Sequence, residues 1–109
     1  MLIALAALFL TADEPPPPPE LQAAGAAWNE CIQDRLDESD RSERPREIAR
    51  RIESACEPSL QAMLAAHRRW VEGSDLSARG KADAHRAMQR SVSGMTRMIE
   101  LMVRASRDD

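Results

Sequence analysis

The sequence predicts an all-α protein: a small up-down-up three-helix bundle, a helical hairpin plus one further helix, stapled by one disulfide. Three observations carry that expectation. Apolar residues recur at spacings of three and four along three long stretches, and no run alternates as a strand would. Aromatics make up only 3% of the chain (Phe9, Trp28 and Trp70), whereas sandwiches and barrels lean on aromatic and β-branched residues. Two cysteines stand symmetrically about a polar linker. The 109 residues suit one domain, and 43% hydrophobic with 30% charged residues is ordinary for a soluble globular chain.

Residues 1–12 (MLIALAALFLTA) are uncharged and almost wholly apolar. The run is too short to span a hydrocarbon core, which takes about 20 helical residues. It matches the apolar core of a secretory signal peptide, with Ala12 as the small residue at the cleavage point. It departs from that pattern in lacking a Lys or Arg ahead of the run and in having Leu10 two residues before Ala12. Residues 13–19 (DEPPPPP) read as an extended polyproline II spacer of about 3.1 Å per residue. Each proline lacks an N–H and clashes with the preceding helical turn.

The helical domain is expected over 20–107. Its first helix covers about 20–37. At about 100° per residue, Leu21, Ala24, Gly25, Trp28, Cys31, Ile32 and Leu36 share an arc of about 140°. A solvated linker (DESDRSER) follows. The second helix covers about 43–72, with Pro45 tolerated in its first turn. Ile48, Ile52, Ala55, Cys56, Leu60, Met63, Leu64, His67, Trp70 and Val71 share its face. The pattern keeps its phase through Pro58, so one helix kinked there is expected. Gly73 ends it, and Ser74 or Asp75 caps the next. The third helix covers about 75–106. Ala84, Met88, Ser91, Met95, Met98, Met102 and Ala105 form a heptad-type seam, widened by Val92, Ile99 and Val103. Met95, Met98 and Met102 are expected in the core. Short connections make successive helices antiparallel neighbours.

Cys31 and Cys56 are equidistant from position 43.5, inside the linker. An antiparallel hairpin turning there brings them opposite one another on the inner faces. A disulfide follows in an oxidising compartment. Closing a loop of about 25 residues stabilises such a fold by roughly 3–4 kcal/mol in the chain-entropy model. Two free thiols or metal ligands are the alternatives, and the absence of a CxxC pair argues against zinc. Trp28-x-x-Cys31, with Cys56 downstream of Pro45 and an Ala- and Arg-rich helix, is similar to small exported bacterial two-cysteine helical proteins of unknown function. The resemblance spans roughly residues 20–70. It implies a periplasmic or secreted location and carries no activity across.

Chemistry is sparse. The net charge of -3 and the scarcity of aromatics give no field or stacking platform for nucleic acid. There is no glycine-rich phosphate loop, and neither His67 nor His85 sits in a nucleophile motif. No catalytic residue, cofactor or enzymatic activity is therefore expected. The leading reading is an exported protein acting through contacts with an unidentified protein partner. It is expected to be a monomer or weak homodimer, with no integral membrane segment after signal removal. The alternative is a periplasmic copper or silver binder or sensor. Thioether and imidazole ligands suit those soft ions, and reflection through the turn at position 74.5 brings Met63, His67, His85 and Met88 within a turn or two of one another. Regular core packing is the competing explanation for the methionines.

Overall fold

The computed structural model describes residues 16–107, so the expected signal segment, 1–12, and the first residues of the spacer lie outside the described residues. The described residues are helical, with no strand among them. Five helical segments follow one another: α1 Pro19–Asp37, α2 Pro45–Ala55, α3 Glu57–Glu72, α4 Ala78–Ser93 and α5 Met95–Arg107.

The spacer ends inside the first helix. Pro18 has φ -63° and ψ 154°, polyproline II values, and Pro19 already occupies the first helical position. Its missing N–H is no loss there, because a first-turn N–H has no intrahelical partner. Gln22 ties the two regions together, donating from its side-chain amide to the Pro17 carbonyl at 2.6 Å.

The expected second helix is two segments meeting at Cys56, not one helix kinked at Pro58. Cys56 has φ -98° and ψ 9°, and α3 begins immediately after it. The break converts Pro58 from an interior proline into a first-turn proline, where the ring meets no earlier carbonyl. Hydrogen bonding continues on both sides: the Cys56 N–H donates to the Ile52 carbonyl at 2.9 Å, and the Leu60 N–H to the Cys56 carbonyl at 3.0 Å. The expected third helix is likewise broken, at Gly94, beside Ser93. Ser–Gly pairs are common sites of such kinks, and glycine removes the side chain that would favour helix continuation.

These two breaks decide the packing. A set of straight helices would touch along their full lengths. Instead α1 lies antiparallel along α3, and α2 lies against α5. The first pairing is marked by Glu20 with Arg69, Gly25 with Met63, and Cys31 with Cys56. The second is marked by the Thr96 hydroxyl donating to Glu53 and by Arg107 donating to the Glu43 carbonyl. Thr96 opposite Glu53 is the register that reflection about position 74.5 implies.

The core sits where the C-terminal half of α1 meets α2 and α5. Ile32, Ile48, Ala49, Ile52, Cys56, Met95, Ile99 and Val103 are buried together, with Trp28, Cys31, Leu36 and Met102 packed on them. Leu60, Ala66 and Val71 are buried on α3, and α4 contributes no buried residue. Four expected core positions differ, Ala105 at the end of the seam among them, since it is exposed. Met98 is 54% exposed, and Ser91 and Ala55 are also on the surface. On α5, Ile99 lies about 40° from Met95 and Met98 about 60° from it in the opposite sense. Ile99 and Val103 fall on one side and Met102 stays within about 20° of Met95, so the buried stripe runs that way and Met98 is left at its edge.

Polar anchors close the ends. Ser39 donates to the Leu36 carbonyl at 2.7 Å after α1. In the linker, the Ser42 N–H donates to Asp40 Oδ1 at 2.9 Å, which holds the Asp40 carboxyl below its ordinary pKa. Glu100 is nearly buried on α5 and is flanked by Arg104 at 3.1 Å and Arg97 at 3.5 Å. The Arg104 hydrogen bond holds its carboxyl below the usual range.

Candidate functional site

Gly73 caps the C-terminus of α3, as the sequence implies, but the connection is longer than expected. Ser74 turns back to donate to the Val71 carbonyl at 2.6 Å and so belongs to the end of α3. The N-cap of α4 is Ser77, whose hydroxyl accepts the Gly80 N–H at 3.1 Å. Neither Ser74 nor Asp75 performs that role. The longer turn moves α4 along α3, and Lys81 crosses back to donate to the Glu72 carbonyl at 3.0 Å.

That register brings the two histidines together. Leu64, His67, Arg68 and Glu72 from α3 line one open groove with His85, Met88 and Gln89 from α4. The imidazole rings of His67 and His85 have centroids 6.2 Å apart and are nearly perpendicular, at 74°. His67 also stands edge-on to Trp70, at 6.2 Å. His85 donates from Nε2 to Glu72 Oε1 at 2.8 Å. This hydrogen bond from His85 lowers the Glu72 carboxyl below its ordinary pKa. Burial, reinforced by the charge of His85, pushes the His67 imidazole below its usual 6.5 and so favours its neutral form.

Of the four side chains that sequence spacing grouped, three therefore line the groove. Met63 does not. It lies about 100° around α3 from Leu64 and faces α1, its sulfur 4.0 Å from the place a Cβ on Gly25 would take. Glu72 is the groove residue that sequence reasoning missed. The periodicity of α3 places it outside the apolar face, and only the length of the turn reveals that it reaches His85. Among the described residues, no three His, Cys, Asp or Glu side chains gather as a metal cluster.

The cysteines meet at the other end of the molecule. Cys31 and Cys56 lie at disulfide distance, with Cα atoms 5.9 Å apart, and no free cysteine remains. Cys56 is fully buried at the break between α2 and α3, so the staple fastens α1 to the hinge between those two helices. A third feature lies on the outer side of α5, where Met98 and Leu101 are 54% and 49% exposed. No described helix is long and apolar enough to cross a membrane. No protein-family model, curated protein or solved structure matches the chain.

Proposed function

We propose that this protein is an exported, non-enzymatic helical module of the cell envelope, an up-down-up bundle that acts through protein contacts. The observation that carries the reading is the Cys31–Cys56 pair, at disulfide distance and built into the core at the hinge. Such a pair persists in oxidising compartments and is rare where thiols are kept reduced. The apolar run at 1–12 supports export, and the proline-rich spacer at 13–19 would form the extended N-terminus left after cleavage. The resemblance to small exported two-cysteine bacterial proteins points the same way.

Contact with a protein partner is supported by the outer face of α5. Met98 and Leu101 stand half exposed, one turn apart, between Arg97 and Arg104. Flexible thioethers on a surface make adaptable contacts, and arginine is enriched at interfaces. This face fits an acidic partner surface with an apolar centre.

N-terminal sequencing of protein recovered from its native host tests the location. Cleavage near Ala12 together with two unreactive thiols is expected. An intact N-terminus with two reactive thiols would overturn export. A photo-crosslinker placed at Leu101 should trap a defined protein in the native host, and one at Gln61 should not. Equal labelling from both positions would remove α5 as the contact face.

A further inference from the structure

We propose that the groove between α3 and α4 binds a soft monovalent cation, copper(I), with His67 and His85 as nitrogen ligands and Met88 as the thioether ligand. The proposal is independent of the α5 contact face, which lies on another segment.

The two rings are spaced for one shared ion. With a metal–nitrogen bond of about 2.0–2.1 Å and a ring half-width of about 1.2 Å, an ion bound by both imidazoles stands about 3.2 Å from each centroid. With one nitrogen of each ring turned toward a shared ion, a centroid separation of 6.2 Å corresponds to an angle of roughly 150° at that ion. That wide angle suits copper(I), which accepts two nearly opposed nitrogen ligands. A tetrahedral zinc site would need the rings closer and two further nitrogen, oxygen or sulfur ligands. Met88 lines the same groove and supplies a soft sulfur, which selects copper(I) over hard cations.

The surrounding charges agree. Arg68 and Glu72 both line the groove, one positive and one negative, so no excess negative charge is present to favour a divalent ion. Glu72 has a further role. By accepting from His85 Nε2 at 2.8 Å, it fixes the tautomer in which Nδ1 keeps its lone pair. Glu72 is thus a positioning residue.

The test is a competition titration of the oxidised full chain against a chromophoric copper(I) chelator, with ascorbate present and a thiol assay confirming that the staple is intact. One equivalent of copper(I) should pass to the protein. His67→Gln and His85→Gln should each weaken uptake by more than about tenfold, and Glu72→Gln by about tenfold, the effect of losing an outer-shell partner. Met88→Leu should weaken copper(I) uptake, whereas Met63→Leu and Met95→Leu should leave it unchanged. On wild-type protein, silver(I) should shift the ring-proton NMR signals of both histidines together. This second readout needs no variant to fold. Failure to take copper from the chelator would overturn the proposal. So would uptake surviving in the double histidine variant, or silver(I) that leaves either ring unshifted. Zinc binding as tight as copper(I), with no effect of Met88→Leu, would also overturn it.

Discussion

The two ends of this molecule are built differently. Where α2 meets α5, Ile48, Ile52, Ile99 and Val103 are 1–3% exposed, and the end of α1 is stapled onto them through Cys31 and Cys56. Where α3 meets α4, α4 buries nothing fully, and the contact consists of imidazoles, a carboxylate, a lysine and a thioether around an open groove. The same two lengths of chain make both contacts, separated by the breaks at Cys56 and Gly94. Stability in a small helical protein thus need not be spread along its helices. Concentrating the apolar burial in the α2–α5 and α1–α3 contacts leaves the α3–α4 contact free to carry polar side chains in a defined but open arrangement.

Breaking the staple should produce the largest effect. Reduction, or the double replacement Cys31→Ala/Cys56→Ala, should lower stability by about 3–4 kcal/mol for a loop of this length. Denaturant melts of oxidised and reduced protein would read the difference. An unchanged midpoint would mean that the staple contributes nothing. Ile99→Ala, at a residue 1% exposed, should cost about 3 kcal/mol through lost burial and the cavity left behind. A loss under about 1 kcal/mol would show that the α2–α5 core is loosely packed. At the open end, Ser77→Ala removes the only side-chain cap given to α4 and should cost about 1 kcal/mol. Met98→Ala should cost less than about 0.5 kcal/mol, the range of ordinary surface changes. A cost of 2 kcal/mol or more, the range of buried methionines, would put Met98 back in the core.

The breaks also mark where the sequence was legible. The existence of the helices, the linker and the cysteine pairing follow from apolar spacing and from the symmetry of Cys31 and Cys56 about position 43.5. The register of α2 against α5 follows from reflection through the turn, as Thr96 opposite Glu53 illustrates. What the spacing hid is local. Pro58 announces a disturbance, but an interior proline can kink a helix or become the first turn of a new one, and the residue that yields is Cys56. Gly94 weakens a helix by about 1 kcal/mol relative to Ala without saying that the helix stops. Met98 and Ile99 straddle one apolar stripe, and periodicity alone does not choose between spacings of three and four. Ala49 and Ala66 are buried although alanine carries little apolar signal. In the groove, reflection groups Met63, His67, His85 and Met88, but it assumes a turn shorter than the one that forms, and Met63 faces α1 instead. The sequence offers Ser74 or Asp75 as the next cap, whereas the hydrogen bonds assign Ser74 to the end of α3 and make Ser77 the cap of α4.

The smallest expected effects come from titration at the two ends. His67 binds its proton less readily in the folded than in the unfolded chain, so stability should fall as pH drops through its ordinary value of 6.5. His67→Gln should flatten that part of the profile. Glu100 behaves as a carboxylate held below its ordinary 4.5 by Arg104. Its contribution is present above that value and is lost as pH falls through and below it. Glu100→Gln should therefore flatten the profile in the more acidic range and leave the neutral range alone. Melts of both variants across pH 3 to 8 would separate the ends, and an unchanged slope in either would remove that group from the account.

Native-state hydrogen exchange of the oxidised protein tests the division most directly, because it reads opening free energy residue by residue. The amides of Ile52, Ile99 and Val103 should exchange only through global unfolding. Those of Ala84, His85 and Met88 on α4 should exchange through a smaller opening, at least about 1.4 kcal/mol lower in free energy, or tenfold in protection. Equal protection along α4 and α5, rising and falling together with denaturant, would contradict the account and make the whole chain one cooperative unit.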